Sequence, residues 1–194
     1  MNRSMPFDAD QTLSDDTLMV MFANGDPEAA RELTIRHLGT VVAFAKRLIP
    51  SDADADDIAQ EAMLRLWKIA GEWRPGEAKV TTWLYRVTRN LCIDRLRQKG
   101  FADIDTVAEP KDETPSVQAH LEQSARMDAL NAALGELPER QRVAVMLRHI
   151  EGLSNPDIAE AMEISVEAVE SLTARGKRML KQALETRKKE LGWT

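Results

Sequence analysis

The stretch Trp73–Arg97, WRPGEAKVTTWLYRVTRNLCIDRLR, joins a Pro-Gly turn and aromatic residues to a strongly basic amphipathic segment. From about Val80 to Gln98, Leu84, Val87 and Leu91 recur at helical pitch. Thr82, Arg86, Arg89, Ile93 and Arg97 fall opposite, which predicts a helix with one core-facing side and one outward, cationic side. From Arg74 to Gly100 the basic residues Arg74, Lys79, Arg86, Arg89, Arg95, Arg97 and Lys99 meet only Glu77 and Asp94, although the whole chain carries net charge -6. Positive charge is therefore concentrated locally, as a nucleic-acid contact requires, while the acidic total argues against indiscriminate coating of DNA.

At 194 residues the chain has room for one large domain or two small ones with modest cores of their own. No apolar run approaches the roughly 20 residues needed to cross a bilayer, and MNRSMPFDADQ lacks the basic start and apolar centre of a signal peptide, so a cytoplasmic protein with no direct membrane insertion is expected. Cys92 is the single cysteine, and His37, His120 and His149 lie far apart, so neither a disulfide nor a metal site is expected. No Gly-rich phosphate loop, nucleophile elbow or histidine-based acid/base cluster occurs; the expectation is a non-enzyme without cofactors.

Helical periodicity dominates and alternating β-branched runs are missing, which predicts an all-α fold of two small helical domains. Ser14 suits the cap of a short first helix. Asp26 with Pro27 suits the start of a long one towards Ile49, placing Leu33, His37, Val41 and Phe44 on one side. The acidic run Asp52–Asp57 suits the N-terminus of a third, with Ile58, Ala62, Leu66 and Ile69 inward. Residues 1–99 form the first predicted domain. Residues 100–117, with prolines and an acidic bias, read as a flexible acidic linker able to stretch roughly 55–60 Å. Residues 118–194 form the second: helices over Gln118–Leu134 and Pro138–Ile150, then a short helix to Met162 capped by Asn155 or Ser154, and a long one from Val166 capped by Ser165. That last pair has the order of a helix-turn-helix domain.

Each constellation has a plain alternative. Ser171, Ala174, Arg175 and Arg178 recur at helical pitch, as major-groove reading requires, or simply line a solvated face; Glu170 beside them repels phosphate. Trp73, Trp83 and Tyr85 with Asn90 offer stacking faces and an amide for unpaired bases, or fill the core. The polar loop Arg74–Val80 makes a poor core but a plausible pocket for an extruded nucleotide. Asp57, Gln60, Glu61 and Leu64 form either a partner-docking face or an ordinary surface with the Glu61–Arg65 pair.

Together these blocks resemble the bacterial sigma factors, in particular the small two-domain extracytoplasmic-function (ECF) group. GDPEAARELTIRHLGTVVAFAKRL (Gly25–Leu48), DADDIAQEAMLRLWK (Asp54–Lys68), Trp73–Arg97 and LGELPERQRVAVMLRHIEGLSNPDIAEAMEISVEAVESLTARGKRML (Leu134–Leu180) occur in the family's order. The resemblance implies a subunit that binds core RNA polymerase, through the clamp helices of the largest subunit and the flap, and directs it to promoter DNA, both duplex and single-stranded. It implies contact with the polymerase at Asp57, Gln60, Glu61 and Leu64. It implies a minus-ten surface of Trp73, Arg74, Lys79, Trp83, Arg86, Arg89, Asn90 and Arg97, and a minus-thirty-five surface of Glu170, Ser171, Ala174, Arg175 and Arg178. It further implies an anti-sigma factor and a stress response. Many family members carry arginine where this chain has Glu170 and Leu172, so the promoter sequence does not transfer. The alternatives are a sigma mimic that sequesters an anti-sigma factor and a stand-alone helix-turn-helix regulator.

Overall fold

Capping residues set the helix boundaries of the first domain. In the computed structural model, which describes residues 13–98 and 118–190, Ser14 accepts the Thr17 N–H at 3.2 Å and opens α1, Asp15–Ala23. Asp26 accepts the Glu28 N–H at 2.9 Å and, with Pro27 in the first turn, opens α2, Pro27–Leu48. Ser51 caps α3, Asp52–Ile69, whose first turn carries Asp52 and Asp54 where the helix dipole favours negative charge. A 3-10 turn, Ala70–Glu72, leads into the loop before α4, Val80–Gln98.

The second domain comprises α5, Gln118–Gly135; α6, Glu139–His149; α7, Asn155–Met162; and α8, Val166–Glu190. Ser154, not Asn155, caps α7. The helix-turn-helix turn passes through Glu163 in the left-handed region, φ 55°, where its N–H and that of Ile164 bond back to Glu160 and Ala159. Among the described residues all regular elements are helical, and no helix is long and apolar enough to cross a membrane. The linker expected at 100–117 lies outside the described residues.

Helices α1 to α4 enclose a core of Leu18, Met19, Leu33, Val41, Ala59, Leu66, Val80 and Leu84. The helices of the second domain enclose Leu134, Val143, Met146, Leu147, Ile158 and Val169. These second-domain residues belong to one continuous apolar cluster with Phe44, Leu48, Ile58, Tyr85 and Cys92 of the first, because α7 lies across α4. The domains are packed together rather than apart.

Helix α8 seats on α6 through Gly176. A Cβ there would stand 2.6 Å from Val145 Cγ2 and 3.1 Å from the Gln141 carbonyl, against a side chain that is stiff at χ1. Gly176→Ala is expected to destabilise the fold by about 1–3 kcal/mol through overpacking, read as a lower urea midpoint at unchanged slope. A midpoint equal to wild type would show that α6 yields freely.

Candidate nucleic-acid interface

The Pro75–Gly76 turn is a type II β-turn: the Arg74 carbonyl accepts the Glu77 N–H at 3.2 Å, and Gly76 sits at φ 84°, which an L side chain resists. Beneath it lies Asp16 of α1, whose carboxylate accepts the Trp73 indole N–H at 2.8 Å and the Gly76 backbone N–H at 3.0 Å. Sequence reading missed Asp16; its only signal is an acid beyond what the Ser14 cap needs. Arg74 is 77% exposed beside Glu77, and Lys79 is 67% exposed with its ammonium 2.8 Å from Asp157 of α7.

The sides of α4 differ from expectation in two residues, Thr82 and Arg89, and the two readings of Tyr85 are resolved. Leu84 is buried and Val87 and Leu91 are half-buried against the first-domain core, as their spacing requires. Thr82, expected outward, is buried at 1% exposure: it adjoins the Val80–Leu84 side and packs inward despite its hydroxyl. Tyr85 fills the core instead of offering a stacking face, with its ring edge-on to Phe44 at 4.9 Å. Arg89, also expected outward, is 14% exposed, because the second domain covers that side and brings Glu139 to 3.9 Å.

The remaining positions keep access to solvent. Arg97 is exposed; Arg86, Asn90 and Trp83 are half-buried, with Trp83 resting on the first-domain core and the Asn90 amide oxygen accepting from Arg89 at 3.1 Å. Arg86 and Arg97 have no ion-pair partner among the described residues. The basic loop and helix thus remain a cationic surface, and the second domain overlies the Arg89–Tyr85 side and meets the loop at Lys79.

That covered side is held by Glu151, just after α6, with only 7% of its side chain exposed. It accepts the Tyr85 hydroxyl at 2.5 Å and lies 3.4 Å from Arg47. Burial, then the neighbouring Glu151 carboxylate, pushes the Tyr85 hydroxyl far above its ordinary pKa, so it stays protonated and donates. Burial pushes the Cys92 thiol up to about 12, which makes it a packing residue and not a nucleophile. Burial raises the Asp157 pKa, but hydrogen bonds from Lys79 and Ser154 outweigh it and hold the carboxyl below its usual range.

On α8, Val169 is buried and Leu172 packs on the core, which turns Glu170, Ala174, Arg175 and Arg178 to the exposed side with Ser171 half-buried between. Arg175 donates to the Ser171 hydroxyl at 2.6 Å, and Glu170 lies 3.5 Å from the Asn155 amide. On α3, Asp57, Gln60 and Leu64 are exposed, Leu64 at 52% despite being apolar. Glu61 forms the Arg65 pair at 2.8 Å, and that hydrogen bond lowers its pKa. Apart from Arg89, which the second domain covers, the expected residues keep access to solvent on α3, on the loop with α4, and on α8.

Tyr85→Phe leaves the buried Glu151 carboxylate with one partner fewer. A loss of about 1–3 kcal/mol is expected from a hydrogen bond to a charged group, measured as a lower urea midpoint; an unchanged midpoint would show that the bond contributes nothing.

Two family models match: Sigma-70 region 2 over residues 33–101 and Sigma-70 region 4 over residues 127–180. The ECF RNA polymerase sigma factor SigE of Mycolicibacterium smegmatis is 34% identical over 172 residues, covering 85% of this chain, which spans 66% of that relative. SigM of Mycobacterium tuberculosis is 32% identical over 174 residues, covering 88% of this chain and 85% of the relative. Among solved structures, CnrH in complex with the cytosolic domain of CnrY matches with a TM-score of 0.66 at 26% identity, over 89% of this chain and 97% of that one. The sigma factor RpoE in complex with the anti-sigma factor NepR from Bartonella quintana shares the fold, with a TM-score of 0.64 at 22% identity over 80% of this chain and 96% of that one. With both regions in order on a matching fold, the chain belongs to the ECF RNA polymerase sigma factors.

Proposed function

We propose that this chain is a dissociable promoter-specificity subunit acting in the cytoplasm. The exposed side of α3 at Asp57, Gln60, Glu61 and Leu64 docks on core RNA polymerase. The Arg74–Val80 loop, with Trp73, Trp83, Arg86, Arg89, Asn90 and Arg97, takes up unpaired minus-ten bases. Arg175 and Arg178, with Glu170, Ser171 and Ala174, read the minus-thirty-five duplex. The domain limits 1–99 and 118–194 follow from this division of labour. The observation that carries the reading is the pairing of an exposed cationic loop and helix in one domain with an exposed, arginine-bearing helix in the other. No bond chemistry is required: each base captured in stacked form contributes about 1–3 kcal/mol that the duplex does not recover, against a few kcal/mol to extrude it.

The packed arrangement is the unengaged form. Elements about 25 base pairs apart are separated by roughly 85 Å along the duplex, further than two domains in contact can reach. Binding both requires α7 to leave α4, releasing Lys79 from Asp157, Arg89 from Glu139, and Arg47 and Tyr85 from Glu151. Asp157 and Glu139 stand where phosphates would otherwise draw Lys79 and Arg89. An anti-sigma factor, the kind of partner present in the RpoE complex, would regulate this chain by favouring a form that cannot engage promoter DNA.

Run-off transcription with purified core polymerase and a promoter library tests the reading: product that depends on this chain is expected, whereas a protein that only sequesters an anti-sigma factor yields none. Within that assay, Arg175→Ala is expected to weaken duplex binding with altered sequence preference. Arg97→Ala is expected to weaken it uniformly and to reduce the salt slope by about one. Equal, sequence-independent losses would remove Arg175 from the recognition role.

A further inference from the structure

We infer that Asp16 is a positioning residue for promoter opening: it fixes the shape of the minus-ten loop from below without touching DNA itself. The inference rests on the reading of Arg74–Val80 as the base-capturing loop. Both carboxylate oxygens are committed inward, Oδ1 to the Trp73 indole and Oδ2 to the Gly76 amide, so none is aimed at a ligand. A carboxylate beside a strand of phosphates would oppose binding if it served as a contact; used as a double acceptor, it orients the two residues that flank Arg74 and Pro75.

The rest of the loop has little else to hold it. Its ends are fixed by the Trp73 N–H bond to the Ala70 carbonyl, by the Trp83 N–H bond to the Lys79 carbonyl and by the burial of Val80; between them the other contacts are the Glu77-to-Arg74 turn bond, the exposed Arg74–Glu77 pair, which is worth little, and the Lys79–Asp157 pair. The Lys79 contact is made to the second domain and is lost when the domains part. Once they separate, Asp16 is the tie that holds the Pro75–Gly76 turn, between the loop's anchored ends, to its own domain.

Asp16 is itself well anchored. Its neighbour Asp15 meets the Arg36 guanidinium at 3.1 Å and His37 Nε2 at 2.8 Å, Arg36 also donates to the Leu13 carbonyl at 2.6 Å, and Ser14 caps the helix. Ser14, Asp15 and Asp16 thus connect α2 to the loop through one turn of α1. Phe22, packed edge-on to Trp67 at 5.1 Å, holds the far end of α1 on α3. A pre-shaped loop loses less conformational freedom on capturing a base, which is why loss of the tie is expected to appear in opening and not in assembly.

The test uses holoenzyme built from the full-length chain and core polymerase, on a promoter that the wild-type chain transcribes. Opening is read by permanganate reactivity of unpaired thymines, and core binding by competition. Asp16→Ala is expected to reduce opening about tenfold with core binding unchanged, and Asp16→Asn, which keeps one acceptor oxygen, to fall between. Trp73→Phe is expected to cost less in the Asp16→Ala background than in wild type, because the indole donor has already lost its acceptor. Opening at the wild-type level in Asp16→Ala, while Arg74→Ala is impaired, would overturn the positioning role and leave the loop assignment standing. Wild-type opening in Arg74→Ala would overturn the loop assignment and this inference with it. Equal losses of core binding and opening in Asp16→Ala would make its role structural and also overturn the inference.

Discussion

Helix α4 has to close two cores at once. Val80, Leu84, Val87 and Leu91 complete the first domain, while Tyr85 and Cys92 reach the cluster shared with the second. A period of 3.6 residues leaves only the remaining arc, with Arg86 and Arg97, for solvent or nucleic acid. Tyr85 joins the two functions: its ring packs on Phe44 while its hydroxyl satisfies Glu151 from the other domain. Arg47, also bound to Glu151, ties α2 into the same junction.

The contacts across this junction are of unequal strength. The Lys79–Asp157 pair has an exposed lysine, and such pairs contribute on the order of 0–1 kcal/mol, less as salt rises. The buried Glu151 depends on its partners, since a carboxylate stripped of water and left unpaired is costly. Arg89 contributes an ion pair but leaves its Nε buried without a hydrogen bond, a cost that rehydration on opening would remove. The shared apolar cluster holds the free domains together, while weak ion pairs, one buried carboxylate and an imperfectly satisfied arginine add little that polymerase and promoter could not replace on parting them.

Most helix limits were legible because they are written locally. Ser14 and Asp26 cap within three residues of themselves, Ser154 was one of two candidates with Asn155, the start of α3 was read from its acidic run and not from its Ser51 cap, and the limits of α4, Val80–Gln98, follow from its apolar period and the preceding Pro-Gly turn. The long-range contacts were not legible. Periodicity says that Arg89 is off the first-domain core but not that another domain will cover it, and Tyr85 reads equally as a stacking face or a packing one. Asp16 acts on residues 57 and 60 positions away, and Glu151 on Arg47 over 104. Gly176 reads as an ordinary helix glycine until Val145 is found against it. The three proposed surfaces were visible as residue types at helical pitch, while the way one domain shields part of the proposed minus-ten side belongs to tertiary structure.

The central claim is that the unengaged protein keeps its two domains together through the Tyr85–Glu151 junction and parts them on polymerase. Buried Cys92 resists labelling, so dyes placed at Arg31→Cys and Lys181→Cys, both exposed positions, report interdomain distance by energy transfer in the full-length chain. High transfer in the free protein that falls on addition of core polymerase is the predicted result. Transfer that is already low in the free protein, or that stays high in a holoenzyme competent for transcription, would contradict it.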